Sequence, residues 1–206
     1  MTPAQVIVVD DDEAVCEALA ALLKSAGFRT TTFKSGAAFL DSVTDSDAAC
    51  VVLDIKMPGI DGLEVQRQLA QRELTIPVIV VTAYGDVTVA VRAMRAGAID
   101  FIEKPVARDR LIESVERAIE AGTDLRRHLD ERLEIDRRID TLTPREREVF
   151  EQLVMGRPNK IAAYELGISP RTVEIYRKNV MTKMDASSLS HLVRMAIVSG
   201  IDPLAK

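Results

Sequence analysis

Three apolar residues, Val51-Val52-Leu53, run straight into a lone aspartate, Asp54, and the turn signal Met57-Pro58-Gly59 follows at once. A short unbroken apolar run suits a strand buried on both faces, as in a parallel sheet. Ligands of open parallel sheets bind just beyond the carboxyl ends of the strands, so Asp54 is expected at that edge, facing a crevice. Pro58-Gly59 turns the chain away, and Asp61 followed by Glu64 reads as a helix cap with its reciprocal partner. Taken alone, Asp54 is read equally well as a strand end that caps the next turn. The other strands have to separate the two readings.

Four further segments repeat the theme. Gln5 to Val9 is a buried-strand run ending in Asp10-Asp11-Asp12-Glu13, and Arg29 to Phe33 alternates like a strand. Pro77 to Val81 ends in Thr82-Ala83-Tyr84-Gly85, and the short Asp100-Phe101-Ile102-Glu103 ends in Lys104-Pro105. Helical patterns lie between them: Val15, Leu19, Leu22 and Leu23 stopped by Gly27; Ser35 through Phe39 and Leu40; Leu63, Val65 and Leu69; and Val87, Val91 and Met94, behind an Asp86 cap and stopped by Gly97. This alternation predicts an α/β fold, a five-stranded parallel, doubly wound sheet with helices on both faces.

The polar residues then converge. Asp10 and Asp11 follow the first strand, Asp54 the third, Thr82 the fourth and Lys104 the fifth, and a parallel sheet puts all these ends on one rim. Carboxylates sharing a pocket repel each other unless a cation compensates, and hard oxygen ligands favour Mg2+. A hydroxyl and a lysine opposite them suit a phosphoryl group, whose charge is spread over three oxygens. No G-x-G-x-x-G or G-x-x-x-x-G-K-[ST] loop follows the first strand, which disfavours a nucleotide-binding fold. Aspartyl-phosphate hydrolases also place an Asp after a strand, but their second Asp, two positions on, is replaced here by Lys56. The site is thus expected to accept a phosphoryl group without working as an efficient phosphatase.

A length of 206 residues is comfortable for two domains. The net charge of −5 hides an asymmetry: −7 over residues 1–122, −1 over 123–140 and +3 over 141–206. An acidic front and a basic tail point to two modules with different partners. No apolar run approaches the roughly 18 residues of a membrane span, and the N-terminus lacks the pattern of a signal peptide. Cys16 and Cys50 have no metal-ligand spacing and read as buried small residues of a reduced, cytoplasmic protein.

From Val106 no break is obvious before Thr141. Leu111, Val115, Ala118, Gly122, Leu125 and Leu129 recur as a heptad seam, extended less regularly by Leu133 and Ile139. Two readings stay open: one long helix able to pair with a second copy, or a helix followed by a hinge, with Gly122 as a candidate kink. Beyond it, Thr143-Pro144-Arg145-Glu146 is a capped helix start, with Val149, Leu153 and Val154 on its apolar face. Asn159 to Leu166 forms a short helix with Ile161, Ala162 and Leu166 inward, and Gly167-Ile168-Ser169 is a tight turn. Pro170 opens the next helix, in which Val173, Tyr176 or Arg177, Val180 and Met184 face the core; a last helix carries Leu189, Leu192, Val193 and Ile197. Two helices joined by a tight glycine-containing turn are a helix-turn-helix signature, the second helix entering the major groove. Glu174, Ile175 and Lys178 then lie on the face for base edges, with Arg171, Thr172, Asn179 and Lys183 at the flanks for phosphates. An adaptor whose tail binds protein instead is the rival reading, disfavoured by the basic residues from Arg171 to Lys183.

Asp10-Asp11, Asp54 before Met57-Pro58-Gly59, Thr82-Ala83 and Phe101-Ile102-Glu103-Lys104-Pro105 together resemble a response-regulator receiver domain of the two-component systems. Pro158-Asn159-Lys160-Ile161-Ala162, Ser169-Pro170-Arg171-Thr172-Val173-Glu174 and Lys183-Met184 resemble a LuxR-type helix-turn-helix. Both halves are similar to the FixJ branch of response regulators, with one departure, Val106 in place of the usual Phe after Lys-Pro. The resemblance implies a flavodoxin-like receiver domain over 1–122, a helical linker over 123–140 and an all-α, four-helix DNA-binding domain over 141–206. It implies a transcription activator that is not a turnover enzyme: Asp54 takes a phosphoryl group from the phosphohistidine of a cognate sensor histidine kinase and slowly loses it. Asp10, Asp11, Asp54 and the Lys56 backbone carbonyl would hold Mg2+, Asp10 mostly through water. Lys104, joined to Pro105 by a cis peptide, would pair with the phosphate, Thr82 would hydrogen-bond it, and Phe101 would switch with Thr82. Homodimerisation, binding to double-stranded promoter DNA and contact with RNA polymerase would follow.

Overall fold

Each expected strand forms: β1 (Gln5–Val9), β2 (Arg29–Phe33), β3 (Cys50–Leu53), β4 (Val78–Thr82) and β5 (Asp100–Glu103). All neighbours pair in parallel in the order β2-β1-β3-β4-β5. The computed structural model describes residues 3–44, 48–83 and 87–203; Tyr84, Gly85 and the expected cap Asp86 lie outside the described residues. Two compact units, Met1–Arg126 and Arg127–Lys206, make up the chain.

In the first unit, side chains alternate across the sheet because the strand period is two. Ile7, Val9, Val51, Leu53, Val78 and Val80 pack on one face with α2 (Gly36–Ser42), α3 (Gly62–Gln71) and α4 (Val87–Arg95). Val6, Val8, Cys50, Val52, Ile79 and Val81 pack on the other with α1 (Glu13–Ser25) and the first part of α5 (Arg108–Asp140). Both faces are covered, which is why β1, β3 and β4 read as unbroken apolar runs.

Several local expectations change in detail. Asp61 caps α3 by accepting from the Glu64 N–H at 2.8 Å, but the Glu64 carboxylate turns away to Arg67 and Gln68. The ion pair to Arg67 on the same helix face wins over the reciprocal cap bond. The apolar stripe of α4 points outward: Val87, Val91 and Met94 are 76, 44 and 46 % exposed, and only Ala93 is buried. In α5 the seam divides, with Leu111, Val115 and Ala118 buried on the sheet and Leu125, Leu129 and Leu133 exposed. The helix passes Gly122 without a break. A Cβ there would come within 2.5 Å of Pro77 Cγ, so glycine serves close packing rather than a kink.

In the second unit, α6 (Pro144–Val154), α7 (Asn159–Leu166), α8 (Pro170–Lys183) and α9 (Leu189–Val198) surround Val149, Phe150, Leu153, Val173, Val180, Met184 and Leu192. The expected Thr143–Glu146 capping box is present, and Ser169 caps α8. Gly167 ends α7 at φ +64°, a left-handed conformation that favours glycine. Ile161, expected inward, is exposed, and Ala163 takes the core position beside Ala162. Ile135, Ile139 and Leu142 are buried in this same core, so the last turns of α5, read as linker from the sequence, are built into the second unit.

Candidate functional site

Strand register brings the polar rim together. Val9 pairs with Leu53, so Asp10 and Asp54 emerge side by side where the strand order reverses, the crevice in which open α/β sheets bind ligands. Thr82 pairs with Glu103, and the next residue, Lys104, donates its backbone N–H to the Thr82 carbonyl at 2.9 Å. The Lys104–Pro105 peptide is cis. Lys104 Nζ lies 2.6 Å from Asp10 Oδ2 and 3.0 Å from Asp54 Oδ1, so one ammonium bridges both carboxylates. Asp10, Asp54 and Thr82 are buried.

Asp10 Oδ1 accepts from the Asp12 N–H, and Asp12 in turn caps α1 through the N–H groups of Ala14 and Val15. Burial pushes the Asp54 carboxyl up from the ordinary aspartate range, and the charge of Asp10 adds to this. Hydrogen bonds from Lys104 and from the Lys56 backbone N–H oppose it. For Lys104, burial works against the ammonium, but its bonds to Asp10 and Asp54 prevail and hold its pKa above the usual lysine value. The pocket therefore holds two carboxylates against one ammonium, a surplus of negative charge that a divalent cation would offset. Asp11 is exposed beside them. Among the described residues no three His, Cys, Asp or Glu side chains are grouped as a metal site. The buried pair Asp10 and Asp54 is nonetheless a hard-oxygen donor set of the kind Mg2+ takes.

Phe101, on β5, pairs with Val80 of β4 and, with Val87, Ala90, Val91, Met94 and Arg95, lines an apolar depression beside α4. At the start of the same strand Asp100 accepts from Arg110 at 2.8 Å, Arg117 at 2.6 Å and Ser114, fastening α5 to β5.

On the second unit α8 presents Arg171, Glu174, Ile175, Lys178 and Asn179 to solvent, with Thr172 half-buried against the Ser169 cap. Val173, Val180 and Met184 point inward as the periodicity requires. Lys183, expected at the flank as a phosphate contact, is engaged within the unit. Its Nζ is 2.6 Å from Glu146 Oε2 and 3.0 Å from the Thr141 carbonyl. The Lys183 ammonium, with the Thr143 N–H, pulls the Glu146 carboxyl down to about 2. The capping-box motif gave no sign of this third partner, 37 residues away. Sequence reading also missed Arg138, which donates to the Met184 carbonyl at 3.0 Å and so ties the end of α5 to the cap of α8.

Comparison with known proteins agrees with this division. The response regulator receiver domain matches residues 6–116, and the LuxR family of bacterial regulatory proteins matches residues 140–196. The transcriptional regulatory protein FixJ of Azorhizobium caulinodans is 50% identical over 196 residues, spanning 95% of this chain and 93% of that protein. FixJ of Rhizobium meliloti is 46% identical, covering 98% of this chain and 100% of its own length. Among solved structures, the response regulator StyR superposes with a TM-score of 0.83 at 38% identity, covering 96% of this chain and 99% of its own. Full-length FixJ from B. japonicum gives 0.59 at 43% identity, covering 98% and 100%. The chain belongs to the FixJ-type response regulators, phosphorylation-dependent transcription regulators that join a receiver domain to a LuxR-type DNA-binding domain.

Proposed function

We propose that Asp54 is the phosphoacceptor of this regulator and that its modification drives dimerisation and promoter binding. The observation that carries the reading is the Asp10–Lys104–Asp54 cluster at the strand-order switch of the parallel sheet. An Asp54 oxygen attacks the phosphorus of a sensor-kinase phosphohistidine. The P–N bond breaks, the imidazole nitrogen keeps its electron pair and an acyl phosphate forms on Asp54. Asp10, Asp11, Asp54 and the Lys56 carbonyl would hold Mg2+, which when bound neutralises the phosphoryl oxygens. Lys104, already 3.0 Å from Asp54, moves its hydrogen bond from the carboxylate to the phosphate. Thr82, buried at the end of β4, supplies the hydroxyl that meets a phosphate oxygen, and Phe101 follows it. The only chemistry is this self-phosphorylation and a slow hydrolysis at the same carboxyl, in a cytoplasmic protein. No described helix is long and apolar enough to cross a membrane.

The dimer forms on the face of α4 and β5, where Val87, Val91, Met94 and Phe101 present apolar surface that the fold itself leaves uncovered. DNA is read by Glu174, Ile175 and Lys178 in the major groove, with Arg171, Thr172 and Asn179 on phosphates. RNA polymerase is the further partner of the bound dimer. Light scattering with a small phosphodonor and Mg2+ tests the coupling: the natural chain doubles its mass and the Asp54→Asn chain stays monomeric. A natural chain that takes up phosphate and remains monomeric at micromolar concentration overturns it.

A further inference from the structure

We propose that Arg138 is a positioning residue for DNA reading: from the end of α5 it holds the carboxyl end of α8 in place, and so sets a sequence discrimination that it does not make by touching DNA. The inference rests on the reading of α8 as the helix that meets base edges through Glu174, Ile175 and Lys178. These side chains stand exposed on α8, which ends at the buried cap residue Met184. The last carbonyls of a helix have no partner within it, and the helix dipole favours a cation beside them. Arg138 fills that place: its Nη1 donates to the Met184 carbonyl at 3.0 Å and lies 3.6 Å from Asp185 Oδ2. The guanidinium is itself fixed, because its Nε donates to Glu134 Oε1, one turn back on α5, at 3.0 Å.

A second cation pins the same junction from the other side. Lys183 donates to the Thr141 carbonyl at 3.0 Å and to Glu146 Oε2 at 2.6 Å, so the last residue of α8 and its cap are both tied to the stretch from Arg138 to Glu146. All of these contacts lie within the second unit. Lys178 is six residues before Met184, about 9 Å along the helix, so a small tilt at the clamp is carried to the reading face. Hydrogen bonds to base edges tolerate only a few tenths of an ångström. Long side chains on phosphates follow the DNA backbone and hold any sequence. Loosening the clamp therefore costs binding to the preferred site and spares binding to the rest.

The test uses the full chain with a small phosphodonor and Mg2+, a duplex that this chain enriches from a random-sequence pool, and a scrambled duplex of the same composition. Arg138→Ala weakens binding to the enriched duplex by about tenfold (about 1.4 kcal/mol) and leaves the scrambled duplex and the salt slope unchanged. Arg138→Lys, which keeps a donor for the Met184 carbonyl, recovers most of the loss. Arg137→Ala removes the same charge from a side chain paired with Glu134 at 3.8 Å and changes neither affinity. An unfolded fraction lowers both affinities alike and does not imitate a change in their ratio. Equal losses on the two duplexes, a lower salt slope for Arg138→Ala, or the same change of ratio in Arg137→Ala overturns the proposal. Lys178→Ala, run alongside, tests the reading beneath it. If that variant keeps the natural ratio, the assignment of α8 to base edges falls and the proposal with it; if it loses discrimination while Arg138→Ala keeps it, the positioning role alone falls.

Discussion

Removing the last turns of α5 should unfold the DNA-binding unit, even though the LuxR-type motifs all lie beyond Thr141. Ile135 and Ile139 are 4 and 6 % exposed in its core. Burying an isoleucine side chain stabilises by about 1.5–3 kcal/mol, so the two contribute roughly 3–6 kcal/mol. The bonds from Arg138 to the Met184 carbonyl and from Arg147 to the Ile139 carbonyl add about 0.5–1.5 kcal/mol each. A unit of this length has a total stability of only about 4–12 kcal/mol at roughly 0.05–0.15 kcal/mol per residue. The loss is most of that. Urea unfolding followed by circular dichroism should show a cooperative transition for a fragment of residues 127–206 and little or none for 141–206. Ile139→Ala in the longer fragment should cost about 2–5 kcal/mol. Equal midpoints for the two fragments would refute this reasoning.

Four further outcomes follow from the geometry. Phosphorylation by a small donor needs the Asp54 carboxylate, so its rate falls as pH drops below the raised pKa of Asp54. Lys104→Met removes the ammonium that opposes the burial effect, so the acid limb of the pH–rate profile should move to higher pH. Glu146 is held at about 2, below its ordinary 4.5, so its contribution to the second unit is full above that ordinary range and is lost as pH falls toward 2. Glu146→Gln should flatten the acid dependence of the melting temperature in that interval. Lys178→Ala should cost about 1–3 kcal/mol on the preferred DNA site and little elsewhere, whereas Arg171→Ala should weaken all sequences and lower the salt slope by about one; binding isotherms at several salt concentrations separate them. Val91→Asp should abolish the phosphorylated dimer in light scattering while leaving phosphoryl uptake intact.

The receiver rim was legible because each of its residues directly follows an apolar run. A parallel sheet aligns strand ends, so local sequence was enough to bring Asp10, Asp54, Thr82 and Lys104 together. The same periodicity failed where it had to say what a stripe packs against. Val87, Val91 and Met94 have helical spacing whether they face the core or the solvent, and the core place on α4 goes to the small Ala93. The heptad seam of α5 is continuous in sequence, yet Leu111 to Ala118 lie on the sheet and Leu125 to Leu133 do not. Long-range polar pairs leave no local trace: the helical spacing puts Lys183 at the flank of the DNA-facing side of α8, and only the fold shows that its ammonium also reaches Glu146. The linker implied over 123–140 left Ile135 and Ile139 outside the DNA-binding domain; the capping box at Thr143 marks where a helix starts and not where a core begins.

The most direct test of the central claim is the stoichiometry of phosphoryl uptake, measured by intact mass after incubation with a small phosphodonor and Mg2+. The natural chain should gain one acid-labile phosphoryl group and Asp54→Asn should gain none. Lys104→Ala should still be phosphorylated but no longer dimerise. Stoichiometric uptake by the Asp54→Asn chain would contradict the account.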